Sequence, residues 1–533
     1  MSDLTVEVYD TTLRDGAQQE GMNLSVADKM AIAPLLDELG AGIIEGGWPG
    51  AVPKDTEFFA LVNKELTFVN AQFAAFGMTR RAGSTAAADP QVRALLDSEA
   101  PIITLVAKTD IRHAERALRV SGDENLAMIE ETVAFLVGEG RRVILDAEHF
   151  FDGYRFDPEY AVRALLAAEA GGSTTLVLCD TNGGMLPDDV AGIVREVGLR
   201  TSAVLGMHAH NDSGCAVANS MAAVAAGARH VQGCVNGYGE RTGNADIIAV
   251  AANLELKKGA FALKGNGLPE ATRIAHAISE ITNIAPFARQ PYVGASAFAH
   301  KAGLHASAIK VDPDLYQHTQ PENVGNDMRM LVSEMAGRAS IELKGRELGF
   351  DLAGQSELLG RVTDRVKNAE AAGYTYDAAD ASFELLLRSE LGEAPTYWDV
   401  ESWRVRVSST HGNPRDADAE AVIKLHAGGG ERVTTVGEGN GPVNALDHAL
   451  RTSLSSVYPE IERFELVDFK VRIMDASHGT DAVTRVLITT VDSETGLSWR
   501  TVGVGPNVIE ASWEALTDAL LYGLLKLGVT PNP

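Results

Sequence analysis

VLGMHAHNDSG, residues Val204–Gly214, is an apolar run that closes on polar residues. Read as a strand, it sends His208 and His210 to one face, because side chains two apart on a strand point the same way. Two imidazoles so placed suit a shared metal ion, or are hydrogen-bonded polar residues at a strand end. The same form recurs along the first half of the chain. LTVEVYD (Leu4–Asp10), AGIIEGG (Ala41–Gly47), QFAAFG (Gln72–Gly77) and PIITLVA (Pro101–Ala107) precede it, as do RVILDAE (Arg142–Glu148) and TLVLCDT (Thr175–Thr181); HVQGCVN (His230–Asn236) follows. Between them lie segments such as SVADKMAIAPLLDELG and DPEYAVRALLAAEAGG, with apolar residues at helical spacing and glycine at the exit. Eight strand-then-helix units in about 255 residues imply a parallel sheet of the size of a (β/α)8 TIM barrel, an α/β fold. A doubly wound open sheet is the alternative, but no glycine-rich dinucleotide fingerprint follows the first strand.

In such barrels the chemistry sits where the strands end. Arg14 and Asp15 follow the first strand, Glu45 ends the second and Glu148 the fifth. Asp180 and Thr181 end the sixth, His208 and His210 the seventh, and NGYGERTGNAD (Asn236–Asp246) follows the eighth. Polar ends converging on one rim point to an active site.

The whole chain has 533 residues, too many for one compact core, so at least two domains are expected. Barrel strands and helices account for residues 1–275, and a mainly helical stretch for 276–395. The tail, 396–533, reads as two similar passes of strands followed by a helix, which suggests a duplicated α+β domain. Its GEGNGPVNALDHAL (Gly437–Leu450) opens a helix, as a tight turn or as an anion site. A net charge of −27 argues against nucleic acid or an anionic membrane as the main partner. An anionic substrate would need local positive charge against that background. Three scattered cysteines, Cys179, Cys215 and Cys234, suggest no disulfide framework. The start, MSDLTVEVYD, shows no export signal, and no apolar run is long enough to span a bilayer, so a cytoplasmic protein is expected.

Three motifs occur in order: YDTTLRDGAQQEG (Tyr9–Gly21), HAHND (His208–Asp212) and NGYGERTGNAD. Together they resemble the signatures of the acyltransferases that join acetyl-CoA to a 2-oxo acid, the 2-isopropylmalate, homocitrate and citramalate synthases. The resemblance covers essentially the whole chain. It implies a divalent metal ion, Mg, Mn or Zn, held by Asp15, His208 and His210 with Asn244 as a further, weaker ligand; a helix cap or turn residue is the alternative for Asn244. It also implies that Arg14 sits beside the oxo group, where an alkoxide develops, and that Glu148 assists proton removal. His305, in AHKAGLHASA, matches the family's essential histidine, with His300 as its rival in the same stretch. Gln18, Thr181 and Tyr316 match substrate-binding positions, Thr181 toward the carboxylate and Tyr316 as a cover.

Family members are homodimers in which the segment after the barrel reaches the partner's site, so His305 is expected to act in trans. Their tail binds a branched-chain amino acid; a dimerisation domain without a ligand is the alternative. GGWPGAVPKDTEFF, LCDTNGG and GYTYDAADASFELLLR resemble a citramalate-forming subgroup, which implies pyruvate as acceptor and isoleucine as effector. Asn182 and Gly183 stand where 2-isopropylmalate synthases more commonly have a valine–glycine pair, and Met78, Leu105 and Leu145 are candidate pocket walls. Two other readings compete. A lyase of the same barrel type would generally lack the duplicated tail, and a non-catalytic barrel would have a broken ligand set.

Overall fold

The computed structural model describes residues 4–409, 417–428, 430, 432–474 and 482–531. Eight parallel strands close into a barrel in sequence order: β1 (Glu7–Asp10), β2 (Ile43–Gly47), β3 (Gln72–Met78), β4 (Ile102–Lys108), β5 (Arg142–Glu148), β6 (Thr175–Asp180), β7 (Val204–Ala209) and β8 (His230–Gly233). The closing pair is β1–β8, with Tyr9 opposite Gln232. Each strand coincides with one of the eight expected apolar runs, and the open-sheet alternative falls with the closure.

Strand periodicity sorts the side chains. Inward positions form a small interior cluster of Tyr9, Ile43, Ala74, Ile102, Ile144, Val177 and Cys179. Outward positions such as Val8, Ile103, Leu105, Leu145, Leu176 and Val231 join the larger core under the helices. At the floor of the barrel, Arg142 donates two hydrogen bonds of 2.8 and 2.7 Å to the carboxylate of Glu7, which His230 also meets at 2.9 Å. Above that floor the inward residues become polar toward the C-terminal ends.

The chain divides into two compact units. The first comprises residues 1–298 with 319–327, and the second 299–318 with 328–533. The second unit opens with a short parallel pair, β9 (Ala299–His300) and β10 (Arg329–Met330), and the helix Gly303–Val311. The expected helix pair around Leu352–Leu391 is Ser356–Ala371 and Asp380–Leu391.

The tail repeats itself. An antiparallel sheet of β11 (Trp398–Ser409), β12 (Ala417–Ala427) and β13 (Arg432–Gly439) is followed by the helix Pro442–Leu454. A second sheet of β14 (Phe464–Ile473), β15 (Thr484–Asp492) and β16 (Ser498–Gly505) is followed by the helix Val508–Lys526. The duplication reaches detail. The first strand of each pass carries a register shift near its start, between Val400 and Ser402 and between Leu466 and Asp468. The third strand of each pass has a glycine where the helix crosses. A Cβ at Gly437 would lie 2.4 Å from the Ala449 nitrogen, and one at Gly503 would lie 2.0 Å from the Ala511 oxygen. β16, SWRTVGVG, is a strand that the sequence reading did not single out, because its two glycines and its arginine blur the alternation.

Candidate active site

The polar strand ends of the first unit meet in a cavity of about 340 Å³ at the C-terminal rim of the barrel. Arg14, Asp15, Gln18, Glu148, Thr181, His208 and His210 all line it. So the metal, catalytic and substrate-binding candidates of the first unit are brought together there, apart from Asn244, which is buried and does not line it; Glu45 and Asp180 of the rim do not line it either.

At its centre Asp15 Oδ2 lies 3.1 Å from His208 Nε2 and 3.9 Å from His210 Nε2. The three donor atoms lie within 4.8 Å of one another, and all three residues are buried. Burial disfavours charge on Asp15, but the Arg14 guanidinium and then His208 outweigh it and hold the carboxyl well below the usual range. Burial and the His208 charge push His210 down to about 4, leaving a neutral imidazole, the form that ligates.

Three further features fit a divalent cation. The Asn244 amide nitrogen donates to Tyr238 O at 3.1 Å, while its Oδ1 is buried without a hydrogen-bond partner. Asn244 pairs with His210 through an isolated β-bridge, which ties its backbone to that of a cluster residue. It is not a helix cap: Asp246 caps the next helix by accepting from Ile248 N at 3.1 Å. His208 is braced from behind, its Nδ1 meeting Gln232 Oε1 at 2.8 Å, and Gln232 Nε2 donating to Asp146 Oδ1 at 2.8 Å. Gln232 thereby fixes the tautomer that leaves Nε2 free to ligate. Two imidazole nitrogens, a carboxylate and an amide oxygen form a mixed set suited to Zn, Mn or Mg. Replacing Gln232 by Leu is expected to weaken metal affinity by about 10–100-fold, read by titration calorimetry.

Arg14 is held on three sides. Its Nε donates to Glu45 Oε1 at 2.5 Å, Nη1 lies 3.4 Å from Asp15, and its guanidinium carbon sits 3.8 Å over the Phe76 ring. Burial opposes its charge, but Glu45 and Asp15 outweigh burial and keep it protonated. Glu45 is itself fully buried and accepts from Tyr9 at 2.6 Å. Trp48 meets the edge of Phe76, ring centroids 5.3 Å apart, so indole, phenyl and guanidinium stack into one wall.

At the end of β5 Glu148 forms an ion pair with Lys108 from the end of β4. The Thr181 hydroxyl accepts from His149 N at 2.8 Å, which leaves its own proton for the cavity. Lys108, Gln232, Asp146 and Arg241 are functional candidates that the sequence reading missed. Lys108 lay one residue beyond the assigned end of its strand. Gln232 shares its parity with His230, which places it inside the barrel.

Two expectations about pocket walls change. Met78 lines the cavity, but Leu105 and Leu145 face the helices, since the inward residues of β4 and β5 have the other parity. Val106 takes the place expected of Leu105. Asn182 is exposed and donates to Asp152 at 2.7 Å, and neither it nor Gly183 lines the cavity. His305 and Tyr316 belong to the second unit, where their rings lie 4.1 Å apart; His300 is 6.1 Å from His305.

The profile of the HMGL-like family matches residues 5–278, the span of the barrel. A homocitrate synthase post-HMGL domain-like profile matches 292–373, and the LeuA allosteric (dimerisation) domain matches 377–524. An (R)-citramalate synthase of Streptomyces coelicolor is 61% identical over 99% of this chain and 98% of its own. That of Aquifex aeolicus is 46% identical over 98% of each chain. A 2-isopropylmalate synthase of Synechococcus sp. (strain RCC307) is 30% identical over 97% of this chain and 94% of its own. The chain belongs to the (R)-citramalate synthase family.

Proposed function

We propose that the chain condenses acetyl-CoA with pyruvate and water to give (R)-citramalate and CoA, a step in isoleucine formation, with the barrel cavity as the place of chemistry. The observation that carries this reading is the 61% identity to an (R)-citramalate synthase over nearly the full length, against 30% for a 2-isopropylmalate synthase. The Asp15–His208–His210 cluster in the cavity supports it and disfavours a non-catalytic barrel.

Asp15, His208, His210 and Asn244 would hold the divalent ion. When bound, that ion supplies Lewis-acid polarisation of the 2-oxo group. Arg14 supplies a fixed positive charge where the alkoxide develops, and it needs no reorganisation because Glu45 and Phe76 already hold it. Thr181 donates its hydroxyl proton to the substrate carboxylate, and Gln18 lies in reach as a second polar contact. Glu148 accepts a proton from the acetyl methyl. The wall of Trp48, Phe76, Met78 and Val106 limits the room beside the pyruvate methyl. His305 is assigned proton relay and Tyr316 a covering role, on the family resemblance. Mixing Glu148→Gln with His305→Ala protein would restore activity if His305 acts in trans.

For the tail we propose a homodimerisation and effector role, with isoleucine as ligand. Its LeuA-type profile supports this, as does a cavity of about 760 Å³ lined by Asn444, His448 and Arg451. β14 also exposes Val467, Val471 and Ile473, an apolar strip suited to a second copy.

The test is thiol release from acetyl-CoA with pyruvate, 2-oxobutanoate, 2-oxoisovalerate or 2-oxoglutarate, each with and without a chelator. Chelator-sensitive release with pyruvate preferred, inhibited by isoleucine more than by leucine, is the expected result. Preference for 2-oxoisovalerate would overturn the substrate assignment.

A further inference from the structure

The condensation must stabilise negative charge at two oxygens. One is the 2-oxo oxygen of pyruvate as it becomes an alkoxide. The other is the thioester oxygen of acetyl-CoA once its methyl has lost a proton. Arg14 and the ion-binding cluster answer the first demand, and nothing assigned so far answers the second.

Three cationic side chains other than histidine line the cavity: Arg14, Arg241 and Lys108. Arg14 is committed to Glu45 and Asp15. Arg241 is committed to Asp212, through bonds of 2.8 and 3.0 Å, and to the backbone oxygen of Thr181 at 2.8 Å. Lys108 differs from both. Its ammonium carries three donors and is paired with one side chain, Glu148, the group read above as taking the methyl proton. The two residues are direct partners in the β4–β5 register, and each is about a quarter exposed, at 24% and 25%, toward the cavity.

We propose that Lys108 is a catalytic residue that holds the enolate oxygen of acetyl-CoA; this rests on the condensation reading above. Glu148 takes a proton from the acetyl methyl, and the C–H electron pair becomes the carbon–carbon double bond of the enolate. The carbonyl π pair moves onto the thioester oxygen. Glu148 loses its charge as that oxygen gains one, and Lys108 lies beside both. A single fixed cation thus follows the negative charge from carboxylate to enolate with little reorganisation. The enolate carbon then attacks C2 of pyruvate, the alkoxide takes up the proton that Glu148 removed, and water cleaves the thioester, its hydroxyl going to the acyl carbon and its proton to the leaving CoA thiolate.

The experiment compares wild-type, Lys108→Met and Lys108→Arg holoenzymes with acetyl-CoA and its trideuterated methyl form, monitoring metal content and Tm. Lys108→Met is expected to lower kcat by about 10²–10³-fold. Its deuterium isotope effect should exceed that of wild type, since proton removal becomes slower relative to later steps. KM for pyruvate and metal content should be unchanged, and Lys108→Arg should recover part of the rate. Lys108→Met with near-wild-type turnover would overturn the proposal. So would a slow variant whose isotope effect does not rise, because its loss would lie outside proton removal. If Lys108→Met loses metal or melts early, Lys108→Arg and Lys108→Gln decide. A larger isotope effect in Gln than in Arg upholds the proposal, and equal effects overturn it. Wild-type protein that releases no thiol with any oxo acid would remove the underlying reading itself, whatever Lys108 does.

Discussion

His210→Ala protein is expected to fold normally and to bind no stoichiometric divalent metal. The imidazole is buried, yet its Nδ1 has no hydrogen-bond partner, so its removal breaks no structural hydrogen bond at that atom. What disappears is one corner of the Asp15–His208–His210 cluster. A catalytic metal contributes several kcal/mol of transition-state stabilisation, and about 1.4 kcal/mol corresponds to tenfold in rate, so thiol release should fall by about 10³-fold or more. Elemental analysis of the purified protein, an unchanged thermal melt and a thiol assay together check this. Full metal occupancy in the variant would show that the cluster is not the site.

Arg14→Met is expected to damage both rate and stability, and to be distinguishable from His210→Ala on that ground. Loss of the fixed charge proposed to face the oxo group should lower kcat by about 10²–10³-fold. Glu45, fully buried, would lose its ionic partner, and breaking such a pair costs about 3–5 kcal/mol. A lowered melting temperature with metal still bound is the expected signature. The double variant Arg14→Met/Glu45→Gln should recover part of the stability and none of the rate, because it removes the stranded carboxylate without restoring the cation.

The barrel was legible because its strands are short apolar runs, each bounded by helix-forming segments. The rim was legible for the same reason, since a polar residue ending an apolar run needs no tertiary information to be noticed. What the sequence hid was parity. Leu105 and Leu145 are apolar residues near strand ends, as Val106 and Met78 are, but a one-residue offset turns the first two toward the helices. The same offset concealed Gln232, which looks like a polar residue in mid-strand until His208 is seen resting on it. Lys108 was lost to a boundary drawn one residue early. Asn182 adjoins a cavity residue in sequence, yet its side chain turns outward to Asp152. Partners distant in sequence, such as Arg14 with Phe76, are fixed only by barrel closure.

That last contact has a consequence for how the pocket can evolve. Phe76 both lines the cavity and forms the bed on which the Arg14 guanidinium lies, and Trp48 meets the same ring at a near-right angle. Trimming Phe76 to admit a longer oxo acid would therefore unseat the charge that the reaction needs. Selection for bulkier acceptors through this wall would meet falling turnover before it met a new preference. Enlargement is open instead at Met78 and Val106, which line the cavity without supporting the guanidinium. Size discrimination and electrophile placement are thus one inherited trait at Trp48 and Phe76, and separable traits at Met78 and Val106.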